Sequence, residues 1–139
     1  VLDVRQLVAE VTIPGNPKSK DRPRTFRAPN GRMRTITPEA TITKQREIGW
    51  IVKCDMRERG TDEEPDGAHA FEVSIQIHER KAASQQADGD NVLKLIMDAL
   101  NGIVWADDRQ VTDARAKVCD RQAATPRTEI SIYRLGRIQ

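Results

Sequence analysis

Asp88 and Asp90 stand one residue apart, directly before the most apolar run of the chain, in ADGDNVLKLIMDALNG. Lys94 follows one helical turn after Asp90, and a second acidic pair, Asp107 and Asp108, closes the segment in WADD. Carboxylates offer hard oxygen donors, and without His or Cys beside them they suit Mg²⁺ or Mn²⁺ rather than zinc. Three such groups in one place repel one another, and a divalent cation relieves that repulsion. A nearby lysine would then neutralise a phosphate oxygen or help a leaving oxygen, which is the equipment of metal-assisted phosphodiester cleavage. The plainer reading is that Asp90 caps a helix, Asp88 sits in a loop and Lys94 pairs with Asp98. An EF-hand is excluded, because Val92 and Leu93 stand where a calcium loop needs an oxygen ligand and then glycine.

The elements around these residues must bring the acid pairs together. The run from Asp90 to Asn101 reads as a helix, with Gly102 as its stop and a length of roughly 18 Å. A chain turning back alongside it would return Asp107 and Asp108 to its start and set one of the two beside Asp88 and Asp90. Val92, Leu93, Leu95, Ile96, Met97, Ala99 and Leu100 cover more than one stripe, so this helix must bury two faces. One face fits its own sheet; the other meets either more of the same chain or a partner subunit. Asp90, Lys94, Asp98 and Asn101 form a polar ridge.

Upstream, QLVAEVTI alternates as a first strand and ends at PGNP. The segment after it holds Lys18, Lys20, Arg22, Arg24, Arg27, Arg32 and Arg34 against the single acid Asp21, with PNG as a tight-turn signal. It reads as a basic loop running into a basic hairpin suited to phosphate contact. A helix follows, with Thr37 as N-cap, Pro38 at its first position, Ile42, Ile48, Ile51, Val52 and Met56 on its apolar face, and Gly60 as its stop. AFEVSIQIHER alternates as a half-buried strand, and RQVTDARAKVC and TEISIYRL read as a closing, antiparallel pair. The expected fold is a small α/β (α+β) domain over residues 1–139, with a mixed sheet and two main helices.

Composition narrows the function classes. Lys+Arg 23 against Asp+Glu 21 leaves a net charge of only +2, so the local clustering of charge carries the information about partners. Cys54 and Cys119 form no metal-ligand motif and read as buried, reduced thiols. The absence of a signal peptide or long apolar stretch sets the expectation of a cytoplasmic protein with no membrane partner. No glycine-rich phosphate loop appears, which argues against a nucleotide cofactor. His69 and His78 read as structural or surface groups, Trp105 as a packing anchor, and Trp50 as core or interface.

DGDNVLKLIMDALNGIVWADDRQV also resembles the signature of the RusA-type Holliday junction resolvases, with Asp-x-Asp-Asn, a lysine four beyond the second Asp, Asp-Ala-Leu and Trp-x-Asp-Asp. VTIPGNPKSKDRPR resembles that family's opening strand and basic loop, and GRMRTITPEA its basic turn into the first long helix. The likeness is strongest over 88–111 and covers most of the chain. It implies that Asp88, Asp90 and Asp108 bind the metal and that Lys94 is the essential lysine. Asp107 would be a supporting acid, with a place at the metal as its alternative role. It further implies an intertwined homodimer of mixed-sheet subunits using Mg²⁺, for which Mn²⁺ substitutes, to cut opposing strands of a four-way DNA junction. Two positions depart from the family pattern: Gly89 replaces a usual apolar residue, and the lead-in RKAASQQA is poorer in arginine. The competing readings are a metal nuclease acting on other branched or duplex DNA, and a DNA-binding module without catalysis.

Overall fold

The computed structural model describes residues 5–19, 24–36, 38–82 and 85–138, without the side chain of Arg24. Lys20, Arg22 and the proposed cap Thr37 lie outside the described residues. The elements are β1 (Gln6–Pro14), β2 (Arg24–Arg27), β3 (Met33–Ile36), α1 (Glu39–Arg59), β4 (His69–Arg80), α2 (Gly89–Ala99), β5 (Val111–Asp120) and β6 (Gln122–Arg137). A four-stranded sheet has the order β1-β6-β4-β5, and β2 and β3 form a separate two-stranded sheet. This is the expected mixed α/β architecture with two helices.

The sheet departs from expectation in its pairing. β5 runs parallel to β4, from Phe71 opposite Val111 to His78 opposite Asp120. β6 is antiparallel to both β4 and β1 and lies between them. The two closing strands therefore flank β4 instead of pairing with each other, and the turn at Arg121 carries the chain across the end of β4. With α2 as the crossover between parallel β4 and β5, this part of the chain is a β-α-β unit. A crossover helix runs back against its strands, so α2 begins near the end of β4 and finishes near the start of β5.

Strict alternation makes β4 the central strand: Phe71, Val73, Ile75 and Ile77 are buried, and they share a core with Ile130 and Ile132 of β6. Both helices cover this face. α1 buries Thr41, Ile48, Gly49, Val52 and Met56, and it stops at Gly60, whose φ of 74° is the left-handed cap the sequence promised. α2 buries Val92, Leu93, Leu95 and Ile96. Burying an apolar sheet face under amphipathic helices is the main stabilising contribution here. The opposite sheet face is polar, lined by Glu10, Thr12, Ser74, Gln76, Glu129 and Ser131.

Trp105 is the packing anchor it was read to be: it is fully buried, tilts against Phe71 at 5.6 Å between ring centroids, and donates its indole N–H to Asn101 Oδ1 at 2.9 Å. Trp50 is not a core residue of the chain; at 64% exposure it stands over a groove lined by Ile42, Gly49, Ala99 and Ile103. Cys119 is exposed on edge strand β5, so only Cys54, half-buried, approaches the expected state of the thiols. Among the described residues, no helix is long and apolar enough to cross a membrane.

Candidate metal centre and nucleic-acid face

Asp88 is the N-cap of α2. Its backbone is extended, with φ −80° and ψ 122°, and its Oδ1 accepts the Asp90 N–H at 2.9 Å. Asp90 lies inside the first turn, where the helix dipole favours a carboxylate. The capping role therefore belongs to Asp88, two residues earlier than the sequence suggested. The same hydrogen bond ties the two acids together, and both are exposed. Gly89 does not loosen them. It is the first residue of the helix, packed over the sheet where an added Cβ would meet Ala116 Cβ at 3.5 Å and Val118 Cγ2 at 3.8 Å, both ordinary contacts.

Lys94, one turn on from Asp90, is exposed and makes no ion pair among the described residues. At the far end of the ridge, Asp98 faces Asp108. Burial pushes the Asp108 carboxyl above its ordinary value, and the neighbouring Asp107 and then Asp98 push it further the same way. Asp107 is held below its ordinary value, chiefly because it accepts the Arg109 backbone N–H, at 3.0 Å. Asp107 caps a single 3-10 turn, Asp108–Gln110, in a reciprocal box with the Gln110 side chain. Gln110 Oε1 in turn accepts the Ala106 and Asp107 N–H groups at 3.0 and 3.1 Å, and its Nε2 donates to the His69 carbonyl at 2.9 Å. Asp107 is thus committed to the backbone, whereas Asp108 is crowded by Asp107 and Asp98 and holds its proton more tightly than an ordinary carboxyl.

The expected return of the second acid pair to the start of α2 does not occur within one chain. Asp108 stands by the start of β5, opposite the beginning of β4, while Gly89 lies over Ala116, Val118 and Ile77 near the other ends of those strands. The 11 residues of α2 separate the pairs by roughly 16 Å at ~1.5 Å per residue. The cause is the β-α-β connection, which puts the two ends of the helix at opposite ends of the adjacent strands β4 and β5. Among the described residues, no three His, Cys, Asp or Glu side chains gather tightly enough to hold one ion. The chemistry of the Asp88/Asp90 pair nevertheless fits Mg²⁺, which takes one or two protein carboxylates and keeps waters and phosphate oxygens for the rest.

The loop after β1 passes along this part of α2, and a separate basic hairpin follows it. Asn16, just after β1, brackets Arg80 at the end of β4, accepting its N–H at 2.8 Å and donating to its carbonyl at 3.3 Å. The loop then carries Lys18 past Val92, Leu95 and Ile96 of α2. Arg27, Arg32 and Arg34 are exposed on the β2–β3 hairpin. Pairing of Phe26 with Arg34 and of Arg27 with Met33 interleaves apolar and guanidinium groups across that hairpin. A family model for the endodeoxyribonuclease RusA matches residues 14–133, a span that includes the basic loop, both helices, both acid pairs, β4, β5 and most of β6, but only the last residue of β1. The chain belongs to the RusA endodeoxyribonuclease family. No curated protein matches it. RusA enzymes act on Holliday junctions and are generally dependent on a divalent metal.

Two participants were missed in the sequence. Asp98 was read only as a partner for Lys94, although its place on the polar ridge at the end of α2 already put it near WADD. Glu79 was not singled out; the signal was its position in the inward register of Phe71, Val73, Ile75 and Ile77, where it is completely buried. His69, by contrast, is tied to Asp66 at 2.7 Å and helps to fix the start of β4.

Proposed function

We propose that this chain is a single-domain, Mg²⁺-dependent endonuclease that resolves four-way DNA junctions by paired, symmetric nicks, working as an intracellular homodimer in recombination and repair. The observation that carries this reading is the placement of two exposed, hydrogen-bonded carboxylates one turn from an exposed lysine that makes no ion pair among the described residues, near the loop that carries Lys18. Asp88 and Asp90 would hold the metal, which when bound supplies an activated water and charge stabilisation at the phosphate. Lys94 offers a fixed positive charge beside the scissile phosphate. Lys18, Arg27, Arg32 and Arg34, with Lys20, Arg22 and Arg24, track the DNA backbone and offset the repulsion between acids and phosphates. Asp108 is the third metal ligand, and its separation from Asp88 within one chain means that it must reach the ion from a second copy.

The test is cleavage of a synthetic four-way junction with and without Mg²⁺, beside fork, flap and linear duplex controls. The wild type should cut the junction only with the metal, and Asp88→Asn should bind it without cutting. Equal cutting of all substrates would replace junction resolution with a general nuclease activity. Loss of binding with intact cutting in Asp88→Asn would remove that residue from the metal centre.

A further inference from the structure

Glu79 is a charged side chain with 0% exposure, at the end of the apolar face of β4. Burial of a carboxylate demands partners, and both of its oxygens have one. Oε1 meets Arg121 Nη1 at 2.5 Å, and Oε2 accepts the backbone N–H of Ala87 at 3.1 Å. Arg121 lies between β5 and β6, where the chain crosses the end of β4. Ala87 is itself buried and immediately precedes Asp88. One carboxylate therefore joins the central strand, the β5–β6 crossing and the last residue of the loop that delivers the first acid of the pair.

We infer that Glu79, held by Arg121, is a positioning residue: it straps the Ala87 amide so that Asp88 enters α2 in the orientation that presents its carboxylate with that of Asp90. This rests on the reading of Asp88 and Asp90 as metal ligands. The second oxygen of a buried carboxylate needs a donor in any case, and what points to the site is where that donor lies. The residue gripped here is the one next to Asp88, so a displacement of Ala87 passes directly into the cap. Asn16 clamps the other stem of the same loop through both backbone groups of Arg80. The loop is thus fixed where it leaves β4 and where it enters α2. A partner of this kind acts through the ligand it orients, and its loss characteristically weakens metal binding more than it alters the chemistry.

The decisive variant is the double replacement Glu79→Leu with Arg121→Met, which removes the strap while continuing the apolar face and preserving the stem of the arginine. Three quantities are compared with the wild type: melting temperature, amide exchange at Ala87 in the metal-free protein, and the Mg²⁺ dependence of junction cleavage. The folded variant should exchange the Ala87 amide about ten-fold faster or more. Its half-maximal Mg²⁺ concentration should rise by about ten-fold, with a smaller change in rate at saturating Mg²⁺. A folded variant with unaltered Ala87 exchange overturns the strap. Faster exchange with an unchanged Mg²⁺ requirement overturns the positioning role. If the double variant fails to fold, Glu79→Gln takes its place, because it keeps an oxygen toward Ala87 but gives up the charge toward Arg121; the same two shifts, smaller in size, are then required. A wild type that cuts nothing at any Mg²⁺ concentration removes the nuclease reading, while the exchange rates still decide whether the strap exists.

Discussion

Asp88 has two separable tasks, and the choice of substitution separates them. Asn retains an oxygen able to accept the Asp90 N–H, so Asp88→Asn should leave the melting temperature nearly unchanged while abolishing Mg²⁺-dependent cutting. Asp88→Ala gives up the cap as well and should lose about 1 kcal/mol of stability. Equal destabilisation by the two variants would mean that the hydrogen bond to Asp90 contributes little. Asp108 behaves in the opposite sense. Its folded-state affinity for a proton is raised above the ordinary 3.8 by burial and by Asp107 and Asp98. The protonated form is therefore the one favoured by the fold: the contribution is favourable below the ordinary value and is lost as pH rises through the raised one. At neutral pH the charge is a liability, and Asp108→Asn should melt no lower than the wild type near pH 7, with any advantage gone below pH 3.8. Melting curves at both ends of that range check this, and a lower neutral melting temperature in Asp108→Asn would refute it. The acids themselves were legible from their spacing. Which of Asp88 and Asp90 caps the helix was not, because both residues are strong cap formers and Gly89 between them fixes neither choice.

Among the elements, the legible ones were those whose signal is local. The alternation of β4, the Gly60 stop of α1 and the basic hairpin turn at Asn30–Gly31 all follow from side-chain period or backbone chirality, and all are present. Strand partners were not legible, since nothing in RQVTDARAKVC says whether it pairs with the strand before it or the one after. The β-α-β crossover decides that question, and with it the far placement of Asp108. The packing of α1 on the end of α2 gives a prediction of its own. An added Cβ at Gly49 would come within 2.7 Å of Ile103 Cδ1, the free end of a flexible side chain. Gly49→Ala should be near neutral, because a helix-propensity gain of about 1 kcal/mol offsets a small shift of Ile103. Gly49→Leu cannot be absorbed in this way and should cost about 1–3 kcal/mol. Chemical denaturation of the two variants measures the contrast; similar midpoints for both would show that α1 and the end of α2 are loosely packed.

For the whole molecule, the separation of the acid pairs becomes a statement about assembly. The proposed two-fold dimer would set two equivalent sites against a junction of matching symmetry, so paired nicks would follow from symmetric binding. On the proposed reading it would also bring Asp88 and Asp90 of one copy to Asp108 of the other, which α2 keeps apart inside a single chain. Mixing two inactive proteins tests this directly. In a dimer of one Asp88→Asn chain with one Asp108→Asn chain, shared sites would concentrate both defects at one centre. The other centre would combine Asp88 and Asp90 from the second chain with Asp108 from the first, and it would be intact. Such mixed dimers should regain Mg²⁺-dependent cutting of four-way junctions, but as single nicks in one strand, since only one centre per dimer works. Sites built wholly within each chain would leave one defect in each, and mixing would restore nothing. Co-expression with two affinity tags, purification of the mixed species and mapping of nicks on end-labelled strands therefore decide between shared and self-contained centres. The single-nick product is the decisive band, because neither parent dimer can make it.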